Sequence, residues 1–456
     1  PFVSAINTTK FIIIEDYLVF SSSEKLLQLV ISNYLNKNTL ETSYAHKTIQ
    51  NALSDEASYQ TYFDSKTLGT ILNELFDTTL DQKNLEPYKL SALQLVKDDH
   101  IVHVNSILQK SKSKQSKTQI SEEFSLTLSN EVLMDPLFVT NHITKKKDIL
   151  VQDIDHNLYL ISNKGVIFWK KKLKGPVLGK VEQVDLYRNG RLQLALTTPF
   201  RLYVIDRNGK DVDTFPLKFK DKITQPLAVF DYDKKRNYRF LVTQNKNLLM
   251  YDSKGKSVKG FQYVATQSIS SQPKHFRLRG KDYIAFSTGN QLNLLNRRGS
   301  VRVKVKEAID FSGAGIYLYN SLFTTTDTKG DLVQVNTKGA VSRQILGLDP
   351  KHDVTSSTKT LVTRSDNTLS IKSNRVDLEY GSYSVPNLFY LKDKIYISIT
   401  DLQAQKVWLF DSQAKPFANV PVFGTSAIDL ANADADTSLE FITKGDTNNL
   451  IMYQLY

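Results

Sequence analysis

The chain contains no cysteine. That excludes disulfides, a thiolate nucleophile and any cysteine-ligated zinc, and is compatible with the cytoplasm or with an oxidising envelope. Tryptophan is nearly absent too, with only Trp169 and Trp408 in the whole sequence. Long apolar runs are missing. The nearest, FIIIEDYLVF, is cut in half by Glu15 and Asp16 and falls short of the roughly 18 residues that a membrane-spanning helix requires. No Gly-x-Ser-x-Gly, Walker loop or His-Glu-x-x-His occurs.

What is present is ordinary for a globular protein: 456 residues, 41% apolar and 23% charged. That length predicts two domains, unless one is a large repeat array with its own continuous core. Lys and Arg exceed Asp and Glu by 59 to 47, a net charge of +12. The excess favours acidic partners such as anionic lipid, acidic polymer or nucleic acid, but it is scattered in twos and threes, as on a solvated surface. The densest stretch, KSKSKQSK at Lys110–Lys117, reads as part of a flexible basic linker over 110–122. The chain opens at Pro1 rather than Met, which reads as a fragment or processed form with any signal or anchor upstream.

One phrase recurs. LYLISNKG starts at Leu158, LYVIDRNG at Leu202, LLMYDSKG at Leu248, LNLLNRRG at Leu292 and LVQVNTKG at Leu332; weaker copies start at Leu369, Val407 and Leu450. The spacing of 37 to 46 residues is that of a four-stranded propeller blade. Asp206, Asp252, Asn296 and Asn336 each stand three residues before a glycine (Gly209, Gly255, Gly299, Gly339), and Ser162 stands likewise before Gly165. A side-chain oxygen bonding the turn, with glycine supplying positive φ, makes each a hairpin. Second runs precede the copies, as in RLQLALTT and KIYISIT; Pro136, Pro176, Pro226, Pro273 and Pro386 open a third run, and a fourth follows the turn. The fold class is therefore mainly β: an eight-bladed β-propeller over 123–456, or a seven-bladed one if a weak copy near 369 or 450 merges with a neighbour. Because the chain stops after the last copy, the strand-like FSLTLSN at Phe124–Asn130 is expected to complete the last blade from outside.

Residues 1–109 read differently. KFIIIED, YLVFSSS, SYQTYFDS, KLSALQLVKD and HIVHVNSILQ look like strands, SEKLLQLVISNYLN like a helix capped at Ser22 or Ser23, and KTLGTILNELFD like a second helix. This is a small α+β domain, expected to be cut short at its front.

Candidate chemistry is sparse. DLANADADTSLEF gathers Asp429, Asn432, Asp434, Asp436 and Glu440 at the close spacing that a hard cation such as calcium requires, as in integrin-type propeller loops. It lacks the usual turn glycine, and an Asx-rich surface turn is the alternative. Corresponding phrases, DLYRNGRLQ and DYDKKRNYR, put Arg188 and Lys234–Arg236 where a metal would sit. His100 and His103, three apart in a strand, fall on opposite faces, whereas His142 and His275 fall where they could face a central channel. Aromatics make up 10% of the residues and interleave with basic ones in FRLRGKDY, a pattern that suits single-stranded nucleic acid but also inter-blade packing.

The order of phrases from YLVFSSSEKLLQLVISNY and LSDEASYQTYF through PLFVTNHITKKKDILVQD, GPVLGKVEQVDLYRNGRLQLAL and FDYDKKRNYRF resembles a Bacteroidota envelope family. That family joins an N-terminal domain of unknown function to a C-terminal quinoprotein-like or WD-like propeller. The resemblance implies an anchored protein facing the periplasm and carries no catalytic residues. Some members bear a ribonuclease HII label, but two-metal RNA cleavage needs carboxylates clustered on a mixed α/β sheet, which these phrases do not provide. The propeller half is also similar to quinoprotein-type propellers. One branch of these is enzymatic and docks its blades with tryptophans, which this chain lacks; another is an eight-bladed lipoprotein that assists outer-membrane protein assembly. The expectation is a non-enzymatic envelope scaffold with a protein partner and no cofactor beyond calcium. Its rivals are a channel-based enzyme or carbohydrate binder, and an anionic-polymer or nucleic-acid binder.

Overall fold

The computed structural model describes residues 9–36, 39–40, 57–76, 82–85, 91–98, 101–108, 110 and 120–455 except 437, with isolated positions 46, 49, 53, 79, 88 and 90. The chain divides into two compact units, Pro1–Lys117 and Thr118–Tyr456. No helix among the described residues is long and apolar enough to cross a membrane.

In the first unit, β1 (Lys10–Ile14) and β2 (Tyr17–Ser21) form a hairpin. Helix α1 (Glu24–Leu35) follows, and Ser23 caps it by accepting from the Leu26 amide. Strands β3 (Tyr59–Phe63), β4 (Ser91–Asp98) and β5 (Ile101–Leu108) make an antiparallel sheet in that order. Helix α2 (Ser65–Phe76) starts just before the Lys66 that opens its apolar pattern, because Asp64 accepts the Thr67 amide at 2.7 Å. His103 lies in β5 opposite Val96, whereas His100 falls outside the described residues. Of the 110–122 linker, 111–119 fall outside them as well. Ile120–Glu122 already belong to strand β6 (Ile120–Thr127), so no linker extends to 122.

The second unit runs through eight antiparallel sheets in chain order, at 137–172, 182–218, 228–252, 274–303, 317–344, 352–377, 387–423 and 429–455, called sheets 1 to 8 below. Seven have four strands. Sheet 3 has three, and an isolated bridge between Asn247 and Val264 holds the place of its fourth. The recurring phrases are the third strands, from Asn157–Ser162 in sheet 1 to Asn449–Leu455 in sheet 8. Proline stands directly before the first strand of sheets 1, 3, 4 and 7, except that sheet 3 leaves one residue between; Pro176 is well short of its strand at Glu182–Val184. Sheet 8 takes its outer strand from β6, which pairs with Asn449–Leu455 over the register Asn449↔Thr127 to Leu455↔Ile120. Leu128–Asn130 lie beyond that strand, since Asn130 turns away to donate to Asp153 and Asp155. A run of four-stranded meanders in which the first strand completes the last sheet is a β-propeller.

The hairpin turns follow the expected mechanism. Asp206 Oδ1 accepts the amides of Asn208 and Lys210, and Asn336 Oδ1 those of Lys338 and Ala340. Asp252 and Asn296 do the same, and Ser162 Oγ serves in the turn ending at Gly165. Gly339 has φ +81°, and a Cβ there would lie 2.1 Å from the Lys304 carbonyl oxygen of the preceding sheet. Gly339→Ala is therefore expected to cost about 1–3 kcal/mol, read as a lower urea midpoint with an unchanged slope.

Apolar faces of neighbouring sheets meet in separate clusters. The one that spans the seam joins Ile149, Val151 and Tyr159 of sheet 1 to Ile442, Leu450 and Met452 of sheet 8, with Phe124 and Leu126 of β6 packed against it.

Candidate functional site

In a four-stranded meander the first and third turns share one end of the sheet. At that end, successive sheets of the propeller are tied to one another. The Leu192 amide of sheet 2 donates to His142 Nδ1 of sheet 1, Arg188 Nε to the Arg236 carbonyl, and Asn163 Nδ2 to the Ala433 carbonyl. His142 thus acts as an inter-sheet acceptor. Burial and the nearby Arg207 and Arg191 hold its pKa below the ordinary value, so it stays neutral, as an acceptor must.

A series of buried acids lies at the same end, each with a cation. Asp148 is met by Arg207 at 2.5 Å, from the hairpin turn of the following sheet. Asp185 is met by Arg236 at 2.7 Å and by the amides of Asn189 and Gly190. Asp282, 5% exposed, receives His275 at 2.8 Å, Arg277 at 3.4 Å and Arg297 at 2.7 Å, and Arg297 continues to Asp233. His275 therefore belongs to an ion cluster, packed edge-on against Tyr232. These arginines, in the turn phrases DRNG and NRRG and in DYDKKRNYR, do structural work that reading the motifs one at a time does not reveal.

Burial alone would raise the Asp282 carboxyl, but the hydrogen bonds from His275 and Arg297 outweigh it and hold it below the usual range. A folded pKa below the unfolded one means stability that is present above about pH 4 and lost as pH falls through the folded value. Arg297→Ala is expected to cost about 2–3 kcal/mol, less than breaking a fully isolated buried pair because His275 and Arg277 remain. Chemical denaturation at pH 7 and at pH 3 checks this, the deficit being expected to shrink at the lower pH.

Sheet 8 breaks the series. Glu440 is 0% exposed, and its only described partner is the Ala433 amide, which donates to Oε2; Oε1 is buried with no hydrogen-bond partner. Carboxylate oxygens of Asp434, Asp436 and Glu440 lie within 4.8 Å of one another. Asp434 Oδ1 accepts the Asp436 amide, and Asp436 Oδ1 accepts the Ser438 amide. No ion pair involves these three among the described residues. Burial, with Asp434, Asp436 and Glu123 adding repulsion against the opposing Ala433 bond, pushes Glu440 up to about 7. Glu123 is raised as well, by burial and then by Asp434 and Asp436, against the opposing charge of Lys164.

Two of the five residues gathered by DLANADADTSLEF serve elsewhere. Asn432 braces the loop, accepting the Ala435 amide through Oδ1 and donating Nδ2 to the Asp436 carbonyl. Asp429 sits in the first strand of sheet 8 and accepts the Phe138 amide of sheet 1 at 2.8 Å, a link between first strands like that of Gln183 to Thr140. Burial raises the Asp429 carboxyl while Lys180 and Lys147 oppose it; burial, then Lys180, lowers Lys274, whose ammonium rests 4.1 Å over the Tyr317 ring.

No protein-family model and no curated protein matches the chain. Among solved structures, the chain is similar to BamB from Moraxella catarrhalis (13% identity, TM-score 0.48, covering 74% of this chain and 97% of that one). It is also similar to BBS1N in complex with ARL6DN (8% identity, TM-score 0.47, 74% and 97%). A third is a catalytically inactive virginiamycin B lyase from Staphylococcus aureus with quinupristin (12% identity, TM-score 0.43, 74% and 99%). The fold assignment rests on the sheet order described above, and the activity of none of the three passes to this chain.

Proposed function

We propose that residues 118–456 form an eight-bladed propeller that works as a non-enzymatic scaffold in the cell envelope, presenting a loop face to a protein partner, in the setting of outer-membrane assembly or secretion. The observation that carries this reading is an apolar surface on a stiff loop. Tyr380, 87% exposed, and Val385 stand on the connection between sheets 6 and 7, and Leu402 stands on the second turn of sheet 7, all three open to solvent. That connection is pinned to sheet 7 by Ser384 N to Thr400 O and Leu402 N to Ser382 O, both backbone bonds, and by a bridge between Tyr383 and Asp401. Exposed aromatic and aliphatic groups on a pre-ordered loop lose little entropy on docking and suit a protein surface better than a sugar or a nucleic acid. The envelope setting rests on the resemblance of this chain's phrases to a Bacteroidota envelope family.

A photo-crosslinking residue placed at Tyr380 in native cells tests the reading, with the same residue at the exposed Ile143, on the opposite end, as the comparison. A discrete envelope protein captured from position 380, absent from 143 and lost on Val385→Asp, is the expected result. Equal capture from both positions, or none from 380, would overturn the scaffold reading at this face.

A further inference from the structure

At the two hairpin turns that bring a guanidinium to a buried acid, the residue after the Asp or Asn is Arg207 or Arg297. The corresponding residue in the turn of sheet 1, which abuts sheet 8, is Asn163, and its amide goes to the Ala433 carbonyl. At sheet 8 this turn thus brings no guanidinium; its basic residue, Lys164, acts on Glu123. The closing strand supplies this carboxylate. The register between β6 and Asn449–Leu455 shifts between Met452 and Tyr453, pairing Phe124 with Met452 and Glu122 with Tyr453, so that Glu123 is the extra residue of a β-bulge. A bulge re-aims the side chain it carries, and Glu123 stands close enough to Asp434 and Asp436 to feel their charge.

We propose that Asp434, Asp436 and Glu440 form a calcium site on sheet 8, the sheet that the closing strand completes. One observation points to a ligand independently of the acid count: Glu440 is wholly buried with Oε1 unpartnered, and its carboxylate stands within reach of those of Asp434 and Asp436. The oxygens of Asp434, Asp436 and Glu440 lie within 4.8 Å of each other, close enough to share one ion with ligands at about 2.3–2.6 Å. An all-oxygen, carboxylate-rich set suits a hard cation and not zinc or copper. Because these residues belong to the sheet that β6 completes, the ion would brace the closing sheet.

The test uses the full chain stripped with EDTA and titrated with calcium chloride by calorimetry, followed by a thermal melt and by hydrogen exchange at Ile120–Thr127. A saturable site, a rise in melting temperature and slower exchange in β6 on adding calcium are expected, with magnesium weaker. Asp434→Asn and Asp436→Asn should each weaken binding by on the order of tenfold or more. Glu440→Gln should abolish binding yet melt in EDTA no lower than the unaltered protein, because the amide keeps the shape of the carboxyl and cannot ionise beside Asp434 and Asp436. That second readout separates a ligand from a merely structural residue. Asp429→Asn, outside the cluster, should leave calcium binding unchanged. Absence of heat and of any thermal shift at millimolar calcium, or calcium binding that survives Glu440→Gln, would overturn the proposal.

Discussion

Deleting Ile120–Thr127 will abolish the single cooperative melt of residues 118–456. The partner strand of β6, Asn449–Leu455, is buried along its whole length, with Leu450 and Met452 wholly inside and Tyr453 nearly so. Removing β6 uncovers that strand's free backbone groups along seven residues and strips Phe124 and Leu126 from the seam cluster. A long, flat, apolar edge is a template for pairing with other chains. Calorimetry of the deleted protein should show a broadened transition at lower temperature, with aggregation on cooling, where intact residues 118–456 are expected to melt in one peak. An unchanged transition would mean that the ring does not depend on β6 for closure.

The second large effect concerns the same sheet from its other side. Phe441→Ala should cost about 3–5 kcal/mol and lower the melting temperature by roughly 5–10 °C. Phe441 is 0% exposed, its ring is stacked on Tyr453 at 5.0 Å, and it sits among Tyr396, Leu409 and Ile451, which join sheets 7 and 8. These neighbours belong to hydrogen-bonded strands and cannot close a void of that size. Phe441→Leu should recover more than half of the loss. Equal destabilisation by Leu and Ala would mean that ring stacking, not volume, is what matters.

The sheets were legible in the sequence because a period-2 strand pattern and an Asp-x-x-Gly turn recur at blade spacing, and both signals are local. The turn glycines, their Asp and Asn partners and the eight third strands stand where that reading puts them. Long-range relations were less legible. Asp434, Asp436 and Glu440 could be named from one acidic phrase, but Asp429 and Asn432 in the same phrase could not be separated from them, since strand direction and bracing bonds decide which oxygens turn inward. Glu123 could not be named at all. Its position depends on one register shift against a strand more than three hundred residues away. The cation series is intermediate: basic residues in DYDKKRNYR were visible as substitutes for a metal, but the acid that Arg236 serves, Asp185, belongs to the preceding sheet.

The seam also imposes an order on synthesis. Ser125 and its partner Asn449 are separated by 324 positions, so β6 leaves the ribosome long before the strand it pairs with. At ordinary elongation rates that interval is roughly 15–65 s. Throughout it, an apolar strand with Phe124 and Leu126 has no native mate, and every later sheet can form before the first strand is used. Nascent chains are therefore most exposed to chaperones and to mispairing in the interval before Asn449–Leu455 emerges.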